Sequence, residues 1–391
     1  MKYWHYFSMY FFFFFIVFSG KPVRSQLFEI GHSSYTWIDS TRNDRPIPVE
    51  VYYPALTTGE EVPVSPGQFP VLCYGHGFVM DVGSYTNFSD FLVPEGYIFA
   101  LSNTETGFSP SHLDFGLDLS FILNAFKMEN NDPGSLFFGA ISGMNAVMGH
   151  SMGGGASMLA AASDTIVKAV ANFAAANTTP SAISAATDIT VPALLFSGSG
   201  DCVTPPSQHQ EPMYDSLASS CKTWINITGG GHCYFANDNF LCTFGENSCG
   251  PNLTITREEQ HDVTFDFLLA WLDHFLKGEE QAWEVFTDSL ASSNRIAYEQ
   301  DCELTGIRGE NTGNSGLKVY PVPFKDYFNI EGNIEISHLE IFDLSGRMVL
   351  EHCVGGNLPY TIETANLLPG FYHLLLTESK GQIIGFKVIK F

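Results

Sequence analysis

A serine flanked by glycines, Gly149-His150-Ser151-Met152-Gly153-Gly154-Gly155, is the stretch of this chain richest in chemical consequence. A serine hydroxyl is a weak nucleophile unless a tight turn projects it towards a base. Gly-x-Ser-x-Gly builds such a turn between a strand and a helix. The flanks fit: Asn145-Ala146-Val147-Met148 reads as a short strand, and Ala156-Ser157-Met158-Leu159-Ala160-Ala161-Ala162 is strongly helix-forming. Gly149 and Gly153 leave room where the two backbones would nearly touch.

A nucleophilic serine needs a base, a group that orients the base, and donors for the developing oxyanion. Asp201 is the candidate orienting acid, because it ends the apolar run Ala193-Leu194-Leu195-Phe196 at a glycine turn. Asp188 falls before that strand and Asp215 inside a helix. Of the histidines that follow, His209, His261 and His274 fall in helical stretches and His352 in the tail. Only His232 follows a sheet strand, in the loop Gly229-Gly230-Gly231-His232, and is the candidate base. His150, beside the nucleophile, is expected to point the other way and to be structural. The two oxyanion donors would be the backbone N–H of Met152 and that of Phe78, in the loop Tyr74-Gly75-His76-Gly77-Phe78.

Residues placed this way need strands that share one end. From about residue 46, strand-like runs (47–53, 69–74, 97–102, 145–149, 168–173, 192–197, 222–227) alternate with helical ones (81–93, 114–127, 152–163, 206–219, 257–277). That alternation predicts an α/β domain over 26–278, with a mostly parallel sheet covered on both faces and its chemistry at the carboxyl ends of the strands. Residues 279–316 read as a linker ending in Gly309-Glu310-Asn311-Thr312-Gly313-Asn314-Ser315-Gly316. Beyond it, short strands without helices predict a small all-β sandwich over 317–391.

With 391 residues, two folded units are expected. A net charge of −24 excludes a nucleic-acid partner, because phosphates would be repelled. Lys2 and the apolar run Tyr10 to Phe18 make residues 1–25 a cleaved signal peptide rather than a membrane span, and no later stretch is long enough to cross a bilayer. The eight cysteines then belong to an oxidising compartment. Five lie within 202–249, with Cys202–Cys221 the favoured bridge and Cys202–Cys233 the runner-up, although spacing does not fix connectivity. Cys73 reads as a buried, unreactive thiol. No P-loop, His-Glu-x-x-His, dinucleotide fingerprint or Cys-x-x-Cys pair is present, so neither cofactor nor metal is expected.

At Gly149–Gly154, the Asp201 turn, Pro212-Met213-Tyr214-Asp215-Ser216-Leu217 and Gly229–His232, the region 46–278 resembles the α/β-hydrolases. Within them it is similar to the secreted bacterial cutinases and polyester hydrolases and their dienelactone-hydrolase-like relatives. The resemblance implies cleavage of carboxylic esters through an acyl-enzyme on Ser151, at an open cleft and without a cofactor. The alternatives are an amidase or peptidase on the same triad, and a non-catalytic hydrolase fold used for adhesion. Two departures stand out. Polyester hydrolases carry a tryptophan after the strand that follows the elbow helix, where this chain has Ala174-Ala175-Ala176. It also inserts Cys233 to Cys249, with Tyr234, Phe235, Phe240 and Phe244, as either a wall of the substrate cleft or a stapled surface loop. The tail, through Val319-Tyr320-Pro321-Val322-Pro323-Phe324, Ile341-Phe342-Asp343-Leu344-Ser345-Gly346-Arg347 and Leu368-Pro369-Gly370-Phe371-Tyr372, resembles the C-terminal sorting domain of type IX secretion. That implies the type IX machinery as partner and a secreted or cell-surface location. A small sandwich that binds a polymeric substrate is the competing reading of the tail.

Overall fold

The computed structural model describes residues 27–302 and, in the C-terminal part, 317–390 apart from 321–323, 333–334, 344–346, 354–358, 369 and 379–382. Residues 1–25, expected to be a signal peptide, and residues 303–316 of the expected linker lie outside the described residues. Contacts divide the chain into two compact units, Met1–Asp301 and Cys302–Phe391.

The first unit is built on ten strands: β1 (Glu29–Asp39), β2 (Arg45–Ala55), β3 (Gly59–Glu60), β4 (Phe69–Gly75), β5 (Ile98–Ser102), β6 (Ile141–His150), β7 (Ala169–Phe173), β8 (Ala193–Gly198), β9 (Cys221–Ile227) and β10 (Ile296–Cys302). Their spatial order is β10-β9-β8-β7-β6-β4-β5-β2-β1-β3. From β5 through β4 and β6 to β9 every pairing is parallel, while β2 joins β5 and β1 joins β2 antiparallel. The helices are α1 (Thr86–Leu92), α2 (His112–Glu129), α3 (Met152–Ser163), α4 (Ala182–Ala186), α5 (Gln210–Ser216), α6 (Phe240–Glu246), α7 (Arg257–Lys277) and α8 (Glu280–Ser292).

Strand periodicity sorts the core into two layers. Val71 and Cys73 of β4, Val147 of β6 and Leu195 of β8 pack on one face with Phe115, Leu119 and Ile122 of α2 and Met158 of α3. Leu72 and Tyr74, Met148, and Leu194 and Phe196 pack on the other with Phe88 of α1, Phe267 and Trp271 of α7 and Phe286 of α8. This is the doubly covered, mostly parallel sheet of an α/β-hydrolase. The sheet does not end at 278: α8 packs into the second layer and β10 adds an edge strand beside β9, within the stretch expected to be linker. The partly exposed, charge-bearing sequence of β10, Ile-Ala-Tyr-Glu-Gln-Asp-Cys, lacks the apolar run that marks an inner strand. Hairpin β1–β2 likewise alternates buried and exposed positions, as an antiparallel margin does.

The second unit holds two antiparallel sheets. One has β11 (Lys318–Tyr320), β12 (Tyr327–Glu331) and β15 (Tyr360–Glu363); the other has β13 (Ile336–Asp343), β14 (Met348–Cys353), β16 (Gly370–Glu378) and β17 (Ile383–Lys390). Phe328, Ile330, Leu339, Ile341, Leu374 and Val388 form its own core.

Candidate active site

The carboxyl ends of strands in the parallel part of the sheet carry the candidate residues: β4 leads to Phe78, β6 to Ser151 and Met152, β8 to Asp201 and β9 to His232, with β7 between β6 and β8. Non-glycine residues with positive φ follow the ends of four neighbouring strands, namely Val79 (52°), Glu105 (58°), Ser151 (54°) and Ala174 (45°). Such strained backbone persists only where its surroundings fix it, and it clusters at functional sites.

Ser151 sits at the junction of β6 and α3 with φ 54° and ψ −118°. Its N–H donates to Phe173 O at 3.0 Å, and its carbonyl accepts from Gly155 at 3.1 Å and Ala176 at 2.8 Å. The elbow closes tightly: a Cβ on Gly149 would lie 2.3 Å from Gly153 O, and one on Gly153 would lie 2.1 Å from Gly75 O. The loop after β4 therefore packs directly on the start of α3. This brings the Phe78 segment beside Met152, whose N–H, the first of its helix, has no acceptor within that helix.

The structure joins Asp201 and His232 in a 2.8 Å bond from Nδ1 to Oδ2, both side chains being buried. Asp201 Oδ1 also accepts the N–H groups of Val203 and Thr204 at 2.8 Å each, and the Thr204 hydroxyl lies 2.8 Å from Oδ2. Burial pushes the Asp201 carboxyl up, but the His232 ring together with these N–H and hydroxyl donors outweighs it and holds the carboxyl below its ordinary range. An acceptor at Nδ1 keeps the proton on that nitrogen and leaves the Nε2 lone pair free. Gln210, from α5, donates to Ala175 O at 2.6 Å and to Thr204 Oγ1 at 3.3 Å, tying the acid turn to the segment after β7.

His150 is fully buried, with Nε2 3.0 Å from the carbonyl oxygen of His232 and Nδ1 2.9 Å from Tyr85 Oη. Burial first, and then the neighbouring His232 ring, hold it well below the usual histidine range, so it is a neutral imidazole. The remaining candidate histidines of this unit are engaged elsewhere: His209 Nδ1 accepts from Asn177 N at 2.9 Å, His261 bonds Asn87 and Ala236 O, and His274 faces Glu279 O. Cys73 is a free thiol with no exposure, and burial pushes its pKa well up.

The cysteine pairing differs from expectation. Cys202 bonds Cys249 and Cys233 bonds Cys242, so neither Cys202–Cys221 nor Cys202–Cys233 forms. Cys221 opens β9 whereas Cys202 lies beyond the far end of the parallel strand β8, which puts roughly 20 Å of strand between them. Cys221 takes part in a disulfide as well, and not with Cys202. The inserted segment thus crosses both catalytic-side turns and is stapled to the residue after Asp201 and to the residue after His232. Phe240 and Phe244 stand exposed on α6, with Phe78 and Phe108 exposed near the loop after β4. Ala174 and Ala175 are fully buried, so no side-chain platform rises where polyester hydrolases carry tryptophan.

Thr204, Gln210, Tyr85 and Glu246 escaped the sequence reading. Asp-x-x-Thr at 201–204 is a local side chain-to-backbone turn pattern that points to Thr204; the other three carry no local signal.

Residues 129–246 match the PET hydrolase-like family, and residues 318–390 match the secretion system C-terminal sorting domain. A cutinase, est1, of Thermobifida alba is 38% identical over 89 residues, covering 22% of this chain and 28% of that protein. A bis(hydroxyethyl) terephthalate hydrolase of Streptomyces coelicolor is 26% identical over 183 residues, covering 46% and 54%. The chain spans about a quarter of the first relative and about half of the second. The sorting-domain match indicates type IX export to the cell surface or the extracellular space. No helix among the described residues is long and apolar enough to cross a membrane.

Proposed function

We propose that this chain, which joins a PET hydrolase-like α/β-hydrolase domain to a type IX sorting domain, is a secreted serine esterase acting through an acyl-enzyme on Ser151. The observation that carries the reading is the buried 2.8 Å bond between Asp201 and His232, alongside a serine held at positive φ on the strand-to-helix turn after β6, at the same end of the sheet.

In this reading His232 Nε2 takes the proton of Ser151 Oγ as the oxygen attacks the ester carbonyl. Asp201 holds Nδ1–H and stabilises the imidazolium that forms. The carbonyl oxygen becomes an oxyanion and receives the N–H groups of Met152 and Phe78, each such donor contributing about 2.7–4 kcal/mol to the transition state. His232 then returns the proton to the leaving alkoxide, and water repeats the cycle on the acyl-enzyme, restoring Ser151. No metal or organic cofactor is called for. Exposed Phe78, Phe108, Phe240 and Phe244 favour an uncharged ester with apolar bulk, which suits the cutinase-like and terephthalate-ester-cleaving relatives. Residues 1–25 would serve as the signal for the first membrane crossing.

The test is a matched panel of p-nitrophenyl esters and p-nitroanilides on the full chain and Ser151→Ala. The reading expects ester turnover that the substitution abolishes while the circular dichroism spectrum stays unchanged. Turnover of anilides alone, or equal turnover by both proteins, would refute it.

A further inference from the structure

Helix α6 turns an unusual pair of faces to its surroundings. Cys242 and Glu246, one turn apart, lie on the side that packs inward, while Phe240 and Phe244, also one turn apart, are exposed. Cys242 is fixed to Cys233 by the disulfide. Glu246 is 3% exposed, and its Oε1 accepts the Cys233 N–H at 2.9 Å. The same carboxylate accepts the backbone N–H of His232. A Cβ on Gly231 would lie 2.3 Å from Glu246 Oε1, so the carboxylate fills the space that glycine leaves open.

The other backbone groups of this turn are held as well. Gln260 accepts the Gly231 N–H at 2.8 Å and donates to its carbonyl at 2.9 Å, His150 donates to the His232 carbonyl, and Arg257 donates to the Cys233 carbonyl. Of these groups only Glu246 comes from the inserted segment, and it alone is an anion. Burial pushes its carboxyl up, against the pull of the two N–H bonds and the His232 ring. A carboxylate is placed in such surroundings only where the donors that meet it are fixed.

We propose that Glu246 is a positioning residue for His232: from the disulfide-stapled insertion it clamps the peptide groups of the base turn and lends a negative charge to the imidazolium formed during turnover. The proposal rests on the serine-esterase reading. The charged and titratable groups facing this carboxylate are His232 and Asp201, with His150 behind His232 and Arg257 at the Cys233 carbonyl.

The experiment compares Glu246→Ala and Glu246→Gln with the parent and Ser151→Ala, full chain, on p-nitrophenyl acetate. It reads kcat and KM separately and kcat/KM across pH. Misplacing the base lowers kcat of Glu246→Ala by roughly ten- to a hundredfold with KM little moved. Glu246→Gln keeps an oxygen for the Cys233 N–H and recovers part of kcat. Its acid limb moves to lower pH, because a negative charge beside the imidazolium is gone. A purely structural role would lower melting temperature and leave that limb in place. If Glu246→Ala does not fold, the limb of the nearly isosteric Glu246→Gln decides. An active parent, a dead Ser151→Ala and an unmoved limb would overturn this inference alone; an inactive parent would overturn it together with the esterase reading.

Discussion

His150 donates from Nε2 to the backbone carbonyl of His232 across 3.0 Å, although the two residues stand 82 positions apart. A carbonyl only accepts, so the proton is on Nε2 and the Nδ1 lone pair receives the Tyr85 hydroxyl at 2.9 Å. Tyr85 Oη in turn accepts the Gly77 N–H at 2.8 Å. One chain of hydrogen bonds therefore runs from the loop of the proposed oxyanion donor Phe78 to the turn of the proposed base. Tyr85→Phe removes its middle link and leaves the buried Gly77 N–H unpaired. The expected result is a fall in kcat of about tenfold, equivalent to roughly 1.4 kcal/mol, with KM nearly constant. Steady-state kinetics on a short p-nitrophenyl ester check it, and an unchanged kcat would separate the chain from catalysis.

The neutral state of His150 has a consequence for stability. Its pKa in the folded protein lies below the ordinary 6.5. Above that pH both folded and unfolded chains hold a neutral ring, and nothing is lost. As pH falls below 6.5 the unfolded chain takes up a proton that the folded ring refuses, so stability declines towards the lower folded pKa. His209 and His261 are lowered as well and act in the same direction. Melting temperature should therefore fall from pH 7.5 to 5, and less steeply in His150→Phe, where one of the three groups no longer titrates. An equal slope in both proteins would contradict this assignment.

Thr204 supports the acid twice, through its N–H on Oδ1 and its hydroxyl near Oδ2 of Asp201. Thr204→Val keeps the shape and the N–H but removes the hydroxyl. A loss of about tenfold in kcat is expected, corresponding to about 1.4 kcal/mol for one hydrogen bond to a charged group. Asp201→Asn goes further, because the amide no longer fixes the His232 tautomer, and kcat should drop by about 10⁴. Equal effects of the two substitutions would show that Asp201 does not orient the base.

The two staples differ in the span they close. Cys202–Cys249 closes 47 positions and Cys233–Cys242 closes 9, which in the chain-entropy account correspond to about 4 and about 3 kcal/mol. Replacing the first pair by alanine should lower melting temperature more than replacing the second. The second pair should cost more activity, because it anchors the helix of Glu246 beside His232. Thermal melts and ester kinetics on the two double variants check both orders, and a reversal of either would contradict it.

Ser151, Asp201 and His232 were legible in the sequence because each follows an apolar strand and sits in a glycine turn, so local pattern reports the position. The inner strands and α3 and α7 were legible for the same reason: buried parallel strands are continuous apolar runs, and these helices have clear periods. Strands β1 and β10 escaped because sheet-margin strands are half-polar and resemble linker, whereas β2 was read over 47–53. The disulfide pairs escaped because bridging depends on which end of the sheet a cysteine occupies, as Cys202 and Cys221 show. Glu246, Tyr85 and His150 meet the site from 14, 147 and 82 positions away from His232, and only tertiary packing brings them there. No local pattern marks such residues.

The most direct test of the central claim is to mix the full chain with excess p-nitrophenyl ester, follow the first turnover, and quench for peptide mass analysis. The account predicts a burst of nitrophenolate approaching one equivalent per chain, and an acyl mass on the peptide that contains Ser151. An acyl group on any other residue, or ester turnover that persists in Ser151→Ala, would contradict it.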